Sequence, residues 1–177
     1  MREAKVILIS GKAGSGKDTV AEKLKEIKER DFGAKCVVVH YADYLKLIAK
    51  LYFGWDGKKD EKGRELLQWL GTDVARKENP DIWLNVIHQF VYTFKNHFDY
   101  VIIPDTRFPN EITGWEKFGF EYYSVVVIRD FESSLTLEQQ QHMSEVALDG
   151  FDFDCNFFNK EGLENLEIAV KNLSEVF

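Results

Sequence analysis

A glycine-rich turn near the amino terminus limits the possible folds of this chain more than any other feature. Residues 11–18 read GKAGSGKD and fit the pattern G-x-x-x-x-G-K-[ST] except at the last position. Residues 6–9 before the turn form a short apolar run, typical of a strand buried on both faces. After the turn, Val20, Leu24 and Ile27 recur at helical spacing. Strand, turn and helix in this order predict a loop whose backbone N–H groups bind phosphate.

The remaining sequence alternates between strand and helix patterns. Further strands are predicted at residues 35–40, 100–104, 122–128 and 151–158. Helices are predicted at residues 43–53, 62–78, 83–94, 111–118 and 163–177, and the polar, glycine-rich residues 54–63 predict a loop. Strands that alternate with helices favour right-handed crossovers. The sequence therefore predicts a three-layer α/β fold, with a mainly parallel five-stranded sheet and helices on both faces.

The composition of the chain indicates which classes of ligand and partner it can bind. The chain has 177 residues, of which 45% are hydrophobic, and no linker-like segment, so we expect one domain across residues 1–177. The net charge of −7 and the absence of a basic cluster argue against a nucleic-acid partner and favour a small phosphorylated ligand. No apolar run approaches the ~20 residues of a membrane span, so we expect a cytoplasmic protein without a membrane partner. Cys36 and Cys155 lie in apolar runs and are expected to be structural thiols.

The carboxyl ends of the predicted strands carry polar residues. In a parallel α/β sheet, ligands bind beyond these ends. Residues 11–17, Asp43, Asp105 and Arg129 each follow a predicted strand. We therefore expect them to share one crevice.

The glycine-rich turn supplies the candidate phosphate contacts. Lys17 would extend to the β- and γ-phosphates of a nucleotide as a mobile charge. Asp18 stands where Ser or Thr usually gives a hydroxyl to Mg²⁺. Either Asp18 holds Mg²⁺ directly or through water, or Thr19 supplies the hydroxyl while Asp18 stabilises the first helical turn. The predicted phosphate-binding residues are Gly11, Ala13, Gly14, Ser15, Gly16, Lys17, Asp18 and Thr19.

Two residues after the strand at 100–104 are further candidates. Asp105 could orient Mg²⁺ and its waters, or it could simply cap a helix. Arg107 could neutralise charge on a transferring phosphoryl group, or it could be a surface arginine paired with Glu111. The residue pattern alone leaves both alternatives open.

Four sequence blocks resemble the phage-type deoxynucleoside-monophosphate kinases, a branch of the P-loop nucleoside-monophosphate kinases. The blocks are GKAGSGKDT at 11–19, RELLQWLGTDVAR at 64–76 with PDIWLN at 80–85, VIIPDTRFPNE at 101–111, and HMSEVALD at 142–149. The first block alone is shared with other small-molecule kinases, including phosphomevalonate kinases of the animal type. The middle blocks discriminate more strongly.

The resemblance implies a single P-loop kinase domain that needs ATP and Mg²⁺. Such an enzyme moves the γ-phosphate of ATP to the α-phosphate of a deoxynucleoside monophosphate. By position, Lys17 and its loop would hold the donor, Asp105 would be the acidic strand end and Arg107 the cleft arginine. Residues of about 43–97 would form a helical acceptor-binding region and those of about 130–150 a short lid. The resemblance also suggests a possible homodimer, in the host cytoplasm if the gene belongs to a phage.

The acceptor-binding candidates lie on two predicted helices. The resemblance suggests that Arg64, Gln68 and Thr72 face the acceptor nucleotide; they lie opposite the leucine face of their helix, where an ordinary solvated face would look the same. Asp43 and Lys46 would face the acceptor phosphate, unless they are a helix N-cap and a solvated lysine.

Aromatic residues add a weaker set of acceptor contacts. Trp69 and Trp83 could stack on a base, although aromatic residues at helical spacing are more often part of the core.

The lid-like segment is unusual because residues 130–150 contain no arginine. The charge role of a lid would then shift to Arg107 and Arg129, which completes a catalytic set with Lys17 and Asp105. His142 and Glu145 are three residues apart, and we expect a lid hydrogen bond between them or to substrate rather than a metal pair.

The chemistry depends on the acceptor. A monophosphate needs no strong base, because its second pKa is about 6 and it is already nucleophilic near pH 7. A nucleoside kinase would need Asp43 or Asp18 to accept a proton from a hydroxyl. A kinase of phosphomevalonate type and a nucleotide-binding regulatory switch are further alternatives. The switch is disfavoured because residues 159–162 read NKEG and lack the aspartate of N-K-x-D.

Overall fold

The computed structural model describes residues 3–130, 135–159 and 163–177. Five strands form one sheet: β1 (Lys5–Ser10), β2 (Cys36–Val38), β3 (Tyr100–Ile103), β4 (Tyr122–Ile128) and β5 (Cys155–Phe158). Their order is β2-β3-β1-β4-β5, and all four neighbouring pairs are parallel. The predicted parallel five-stranded sheet is confirmed.

Helices connect the strands. They are α1 (Lys17–Phe32), α2 (Ala42–Tyr52), α3 (Glu61–Gln68), α4 (Ile82–Phe94), α5 (Pro109–Lys117), α6 (Leu137–Gln141), α7 (Met143–Val146) and α8 (Leu163–Ser174). An eight-residue π-helix, Trp69–Arg76, continues α3 and is called the π segment below. None of the helices described here is both long and apolar enough to cross a membrane.

The side chains of β1 divide between two cores. Ile7 and Ile9 pack with α1 and α8 on one face of the sheet. Val6 and Leu8 pack on the other face with α4 and α5, and Trp115 at the end of α5 is fully buried there. Burial of each large apolar side chain contributes about 1.5–3 kcal/mol. Both faces of β1 are therefore covered, as the continuous apolar run predicted, and the three-layer arrangement is confirmed.

The π segment is the main departure from the predicted elements. The sequence pattern predicts one α-helix over residues 62–78 with Leu70 and Val74 on its apolar face. Leu70 is buried, but Val74 is 37% exposed. A π-helix bonds residue i to i+5 rather than i+4, so residues after the change rotate to a different face. Arg76, two residues after Val74, is buried.

Two further predictions need correction in their limits. The last strand begins at Cys155 rather than at residue 151, because Asp154 turns its carboxylate to the backbone N–H and hydroxyl of Ser124. The polar residues before 150 include the short helices α6 and α7, which begin beside Thr136 and His142. Cys36 is buried and Cys155 half-buried, and both are free thiols.

Candidate active site

The glycine-rich turn forms a loop that only glycine can build at three positions. Gly11, Gly14 and Gly16 have φ values of 149°, 90° and 89°. A Cβ atom at Gly11 would lie 2.6 Å from the Ser15 hydroxyl oxygen, and one at Gly16 would lie 2.5 Å from the amide nitrogen of Asn159. Gly16 is also the N-cap of α1 and no side chain caps that helix start. The first N–H groups of α1 are thus left for a ligand at the loop.

Lys17 lies inside this loop and is only 7% exposed. Its ammonium group donates to the carbonyl oxygen of Lys12 at 3.4 Å. Burial, and after it the positive charge of Arg107, lowers the pKa of Lys17 to about 8. Nearby carboxylates oppose the shift without cancelling it. An anion bound here would reduce the electrostatic repulsion between Lys17 and Arg107.

One cavity of about 390 Å³ opens beside the loop. It is lined by many of the predicted site residues. Those on its wall are Ala13, Gly14, Lys17, Asp18, Lys46, Arg64, Gln68, Thr72, Asp105, Arg107 and Glu145. The predicted donor and acceptor residues therefore meet in a single space.

Other predicted residues lie elsewhere. Gly11, Ser15 and Arg129 line a second cavity of about 250 Å³, which shares Arg107 and Glu145 with the first. The residues on the wall of neither cavity are Gly16, Thr19, Asp43, Trp69 and His142. The expected single crevice is thus divided into two cavities that meet at Arg107 and Glu145.

Asp105 adopts the geometry of a cap while it lines the main cavity. Its two carboxylate oxygens accept hydrogen bonds from the backbone N–H groups of Tyr41 and Ala42, each at 2.9 Å. These amides begin α2, so the carboxylate stabilises the start of that helix. Each oxygen retains a lone pair, so the cap does not prevent contact with a cation.

Asp18 and Thr19 differ in orientation. Asp18 lines the main cavity, whereas Thr19 is exposed and lies outside it. His40 at the end of β2 also lines the cavity, with its Nε2 atom 3.6 Å from Asp18 and its Nδ1 atom 3.4 Å from Asp43. The nearby Asp18 carboxylate raises the pKa of His40. The sequence pattern gave no role to this histidine, because it had no companion motif.

Arg107 connects the cavity to the lid-like segment. Its guanidinium group pairs with the Glu145 carboxylate and donates to the carbonyl oxygen of Ser144 at 3.1 Å. Its backbone N–H, not its side chain, donates to Glu111 at 2.8 Å. The alternative of a surface arginine paired with Glu111 is therefore wrong, since the guanidinium group pairs with a different carboxylate.

The acceptor candidates on α3 and the π segment face the main cavity. Gly71 lies beside them, and a Cβ atom there would approach Leu45 to 2.6 Å. Trp83 lines the cavity and donates from its indole nitrogen to the carbonyl oxygen of Gly71 at 3.0 Å. Trp69 instead is 48% exposed and packs edge-to-face on Phe53.

On α2, the two candidates form an ion pair with each other. Lys46 lines the cavity and binds Asp43 at 2.9 Å, while Asp43 itself lies outside.

The two lid candidates do not bond through their side chains. The His142 ring lies 2.9 Å from the Ser144 hydroxyl and 3.7 Å from Asp73. Glu145 contacts Arg107 and the backbone N–H of Ala13 instead. The backbone N–H of Glu145 donates to the carbonyl oxygen of His142 at 2.8 Å, which closes the first turn of α7.

The sequence reasoning missed a buried ion pair at the base of the main cavity. Arg76 binds Glu111 at 2.8 Å and Asn110 at 2.6 Å, and its guanidinium group stacks on the Phe108 ring at 3.7 Å. Burial raises the pKa of Glu111 to about 7, although Arg76 and the backbone N–H groups of Arg107 and Phe108 oppose this. The pair fixes the backbone that carries Arg107. Both residues lie in the sequence blocks 64–76 and 101–111, which was the available signal.

The carboxylates at the cavity suit an Mg²⁺ ion that is also coordinated by a ligand, rather than one coordinated by protein side chains alone. Within the described ranges, no three His, Cys, Asp or Glu side chains converge on one point. Mg²⁺ usually binds through one or two carboxylates together with waters and substrate phosphates. Asp18 and Asp105 on the cavity wall fit that pattern.

Solved structures with the same fold include those of an APS kinase, CysC, from Mycobacterium tuberculosis. Its complex with AMPPNP and APS is 13% identical to this chain, with a TM-score of 0.53 and 99% of each chain covered. A cysteine-to-alanine mutant of the same kinase is 14% identical, with a TM-score of 0.50 and the same coverage. At this identity the likeness concerns the fold. No curated protein matches the chain.

Together, the parallel sheet, the glycine-rich loop and the buried lysine define a P-loop kinase. The family model for deoxynucleotide monophosphate kinases matches residues 55–170, which is more than half of the chain. This chain belongs to the deoxynucleotide monophosphate kinase family and is a nucleotide kinase. The matched range begins after the glycine-rich loop, so the loop and the family match are independent observations.

Proposed function

We propose that this protein transfers the γ-phosphate of Mg-ATP to a deoxynucleoside or nucleoside monophosphate, giving the diphosphate. One observation carries the proposal. The same cavity is lined by Lys17 and its loop and by the Arg64, Gln68 and Thr72 face of the acceptor helix. Phosphoryl transfer requires donor and acceptor in one space from which bulk water is displaced.

The donor end would use the loop amides and Lys17 for the ATP phosphates. Asp18 and Asp105 would hold Mg²⁺, and Thr19 is the weaker candidate because it faces away from the cavity. When bound, Mg²⁺ neutralises charge on the β- and γ-phosphates. Arg107, with Arg129 from the adjoining cavity, would neutralise the transferring group.

The acceptor end favours a phosphate over a hydroxyl. A hydroxyl acceptor would need a carboxylate within reach of its proton. Asp43 lies outside the cavity and is paired with Lys46. Asp18 lines the cavity, but the neighbouring His40 ring lowers the pKa of Asp18, which makes it a weaker base. A monophosphate needs alignment and charge neutralisation only, which Lys46, Arg64 and Arg107 can supply.

The direct test is ADP release from ATP over a panel of acceptors. The panel holds nucleosides, ribo- and deoxynucleoside monophosphates, and phosphomevalonate. We expect deoxynucleoside monophosphates to give the highest kcat/KM. Faster release with nucleosides or phosphomevalonate would support those alternative kinases. Phosphate release that needs a protein partner and no small acceptor would support a regulatory switch.

The Asp43→Asn variant separates the two acceptor chemistries. With a phosphate acceptor we expect mainly a higher KM, because Asp43 acts only by orienting Lys46. With a hydroxyl acceptor the loss of a general base would cost ~10²-fold or more in kcat. Steady-state kinetics at saturating ATP measure both constants. A fall in kcat alone, with KM unchanged, would contradict the phosphate acceptor.

We further propose a single kinase domain with a helical acceptor-binding region at about 43–97 and a lid at about 130–150, of which residues 131–134 lie outside the described part. A cytoplasmic location, in a host cell if the gene is from a phage, and a possible homodimer complete the proposal. Gel filtration with light scattering tests the last point.

A further inference from the structure

A carboxylate from the lid-like segment lies on the phosphate-binding loop. One oxygen of Glu145 accepts a hydrogen bond from the backbone N–H of Ala13 at 3.3 Å. The other oxygen pairs with the guanidinium group of Arg107. The Glu145 side chain is 7% exposed, although a lone buried carboxylate would be costly. Its burial is possible because cationic and N–H donors surround it.

Neighbouring contacts hold the rest of this segment on the same loop. The ammonium group of Lys12 donates to the carbonyl oxygen of Glu145 at 2.6 Å and to the Asp149 carboxylate at 2.5 Å. Arg107 also donates to the carbonyl oxygen of Ser144. Glu145 and Asp149 are therefore tied to the loop, and Ser144 to Arg107 beside it.

The donors that hold Glu145 are those that a polyphosphate would use. Loop N–H groups and arginine guanidinium groups bind phosphate oxygens by the same charge-assisted hydrogen bonds that they make with carboxylates. The buried Lys17 interacts favourably with the Glu145 charge as well. A carboxylate and a phosphate cannot share these donors without strong repulsion at short range.

We infer that Glu145 is an internal anion that occupies the phosphate-binding loop in the nucleotide-free protein and is displaced by the phosphates of the incoming nucleotide. Displacement gives Arg107 and the Ala13 amide to the phosphate and releases residues 144–149 from the loop. The inference rests on the proposed function, because it requires a polyphosphate to enter this loop. It predicts that removal of the Glu145 charge raises the affinity for nucleotide, whereas removal of a residue that binds substrate lowers it.

Calorimetric titration with ATP and with inorganic tripolyphosphate tests the inference. Tripolyphosphate isolates the phosphate contacts from those of the base and sugar. We expect Glu145→Gln to bind both ligands about tenfold more tightly than the wild type, a size typical of coupling between two binding events. Asp149→Asn, which is exposed, loosens only the Lys12 contact and is expected to shift affinity in the same direction by less. Glu138→Gln removes an exposed charge from the same segment without touching the loop and is expected to change affinity less than twofold.

Hydrogen exchange supplies the readout of displacement. We expect the amides of residues 144–149 to exchange faster in the wild type when tripolyphosphate binds, and to exchange fast in Glu145→Gln without ligand. Equal or weaker binding by Glu145→Gln, or slower exchange on binding, would overturn the inference while leaving the proposed function intact. If neither ligand bound to the folded wild type or to any variant, the proposed function and this inference would both fail.

Discussion

At the residue scale, the phosphate-binding loop depends on glycine at a position where both the backbone conformation and a neighbouring residue exclude a side chain. Gly16 has a positive φ, and a Cβ atom there would meet Asn159. Gly33 ends α1 with a φ of 64°, but no atom of the described residues lies within 4 Å of its Cβ position. A substitution at Gly33 therefore measures the free-energy cost of the backbone conformation alone, whereas one at Gly16 adds the cost of a steric clash.

We expect Gly33→Ala to lower the free energy of unfolding by about 1–2 kcal/mol, the cost of a left-handed conformation. Gly16→Ala should cost more than this, because the collision with Asn159 adds to the same backbone term. It should also weaken ATP binding, whereas Gly33→Ala should not. Urea denaturation and calorimetry measure the two effects. Equal losses of stability and unchanged ATP affinity in Gly16→Ala would contradict the loop geometry.

The protonation state of the buried Glu111 carboxyl group affects the stability of the fold. Its pKa is raised by burial from 4.5 to about 7, so the folded protein holds a proton between these values that the unfolded chain has released. Stability must then fall as pH rises through this window. One pKa unit corresponds to about 1.4 kcal/mol, which makes the total about 3 kcal/mol for this fully buried group.

Glu111→Gln removes this titration. We expect the free energy of unfolding of the wild type, relative to the variant, to fall by up to about 3 kcal/mol between pH 4.5 and pH 7. Urea denaturation at four pH values across the window measures the difference. A constant difference, or a wild type that gains stability with rising pH, would show that Arg76 keeps Glu111 charged throughout.

At the element scale, the π segment shapes the acceptor side of the main cavity. Gly71 packs on Leu45 of α2 and gives its carbonyl oxygen to Trp83 of α4. It thus joins three helical elements at the cavity wall. π-helical turns are rare and are often found at functional sites.

We expect Gly71→Ala to lower the free energy of unfolding by about 1–3 kcal/mol, because the added methyl group overpacks against Leu45. The KM for the acceptor should rise, since Gln68 and Thr72 lie on the same turn. A second change, Leu45→Ala, makes room for the methyl group, so the double variant should be more stable than the sum of the single effects predicts. Strictly additive losses of stability would show that the methyl group added at Gly71 does not act through Leu45.

The elements differ in how far the sequence predicts them. β4 spans the predicted residues 122–128, and the predicted apolar run at residues 6–9 lies within β1. The π segment was not predictable, because its residues also fit an α-helical pattern and its contacts with Leu45 of α2 and Trp83 of α4 are distant in sequence. For the same reason the Arg76–Glu111 pair escaped prediction, since its partners are 35 positions apart in sequence.

At the scale of the whole molecule, topology brings the site together. β1 lies at the centre of the sheet, between β3 and β4, so the loop after β1 adjoins the residues that follow both neighbours. The sequence predicted parallel strands and hence a shared carboxyl edge, but strand order depends on long-range pairing. The contacts of Glu145 with Arg107 and the loop, where the two cavities share lining residues, could not be predicted either, because these partners are far apart in sequence.

The proposed function requires one cavity to align ATP with a monophosphate acceptor. Its most direct measurement follows ATP labelled in the γ-phosphate, with dAMP, dGMP, dCMP and dTMP supplied in turn. We expect label to appear in a deoxynucleoside diphosphate for at least one acceptor, and Lys17→Met to reduce this transfer by ~10²-fold or more. Lys23→Met, at a half-buried lysine of the same helix that is ion-paired with Glu26, should leave the transfer unaltered. Label released as inorganic phosphate at one rate with or without acceptor, or found on a nucleoside hydroxyl, would contradict the account.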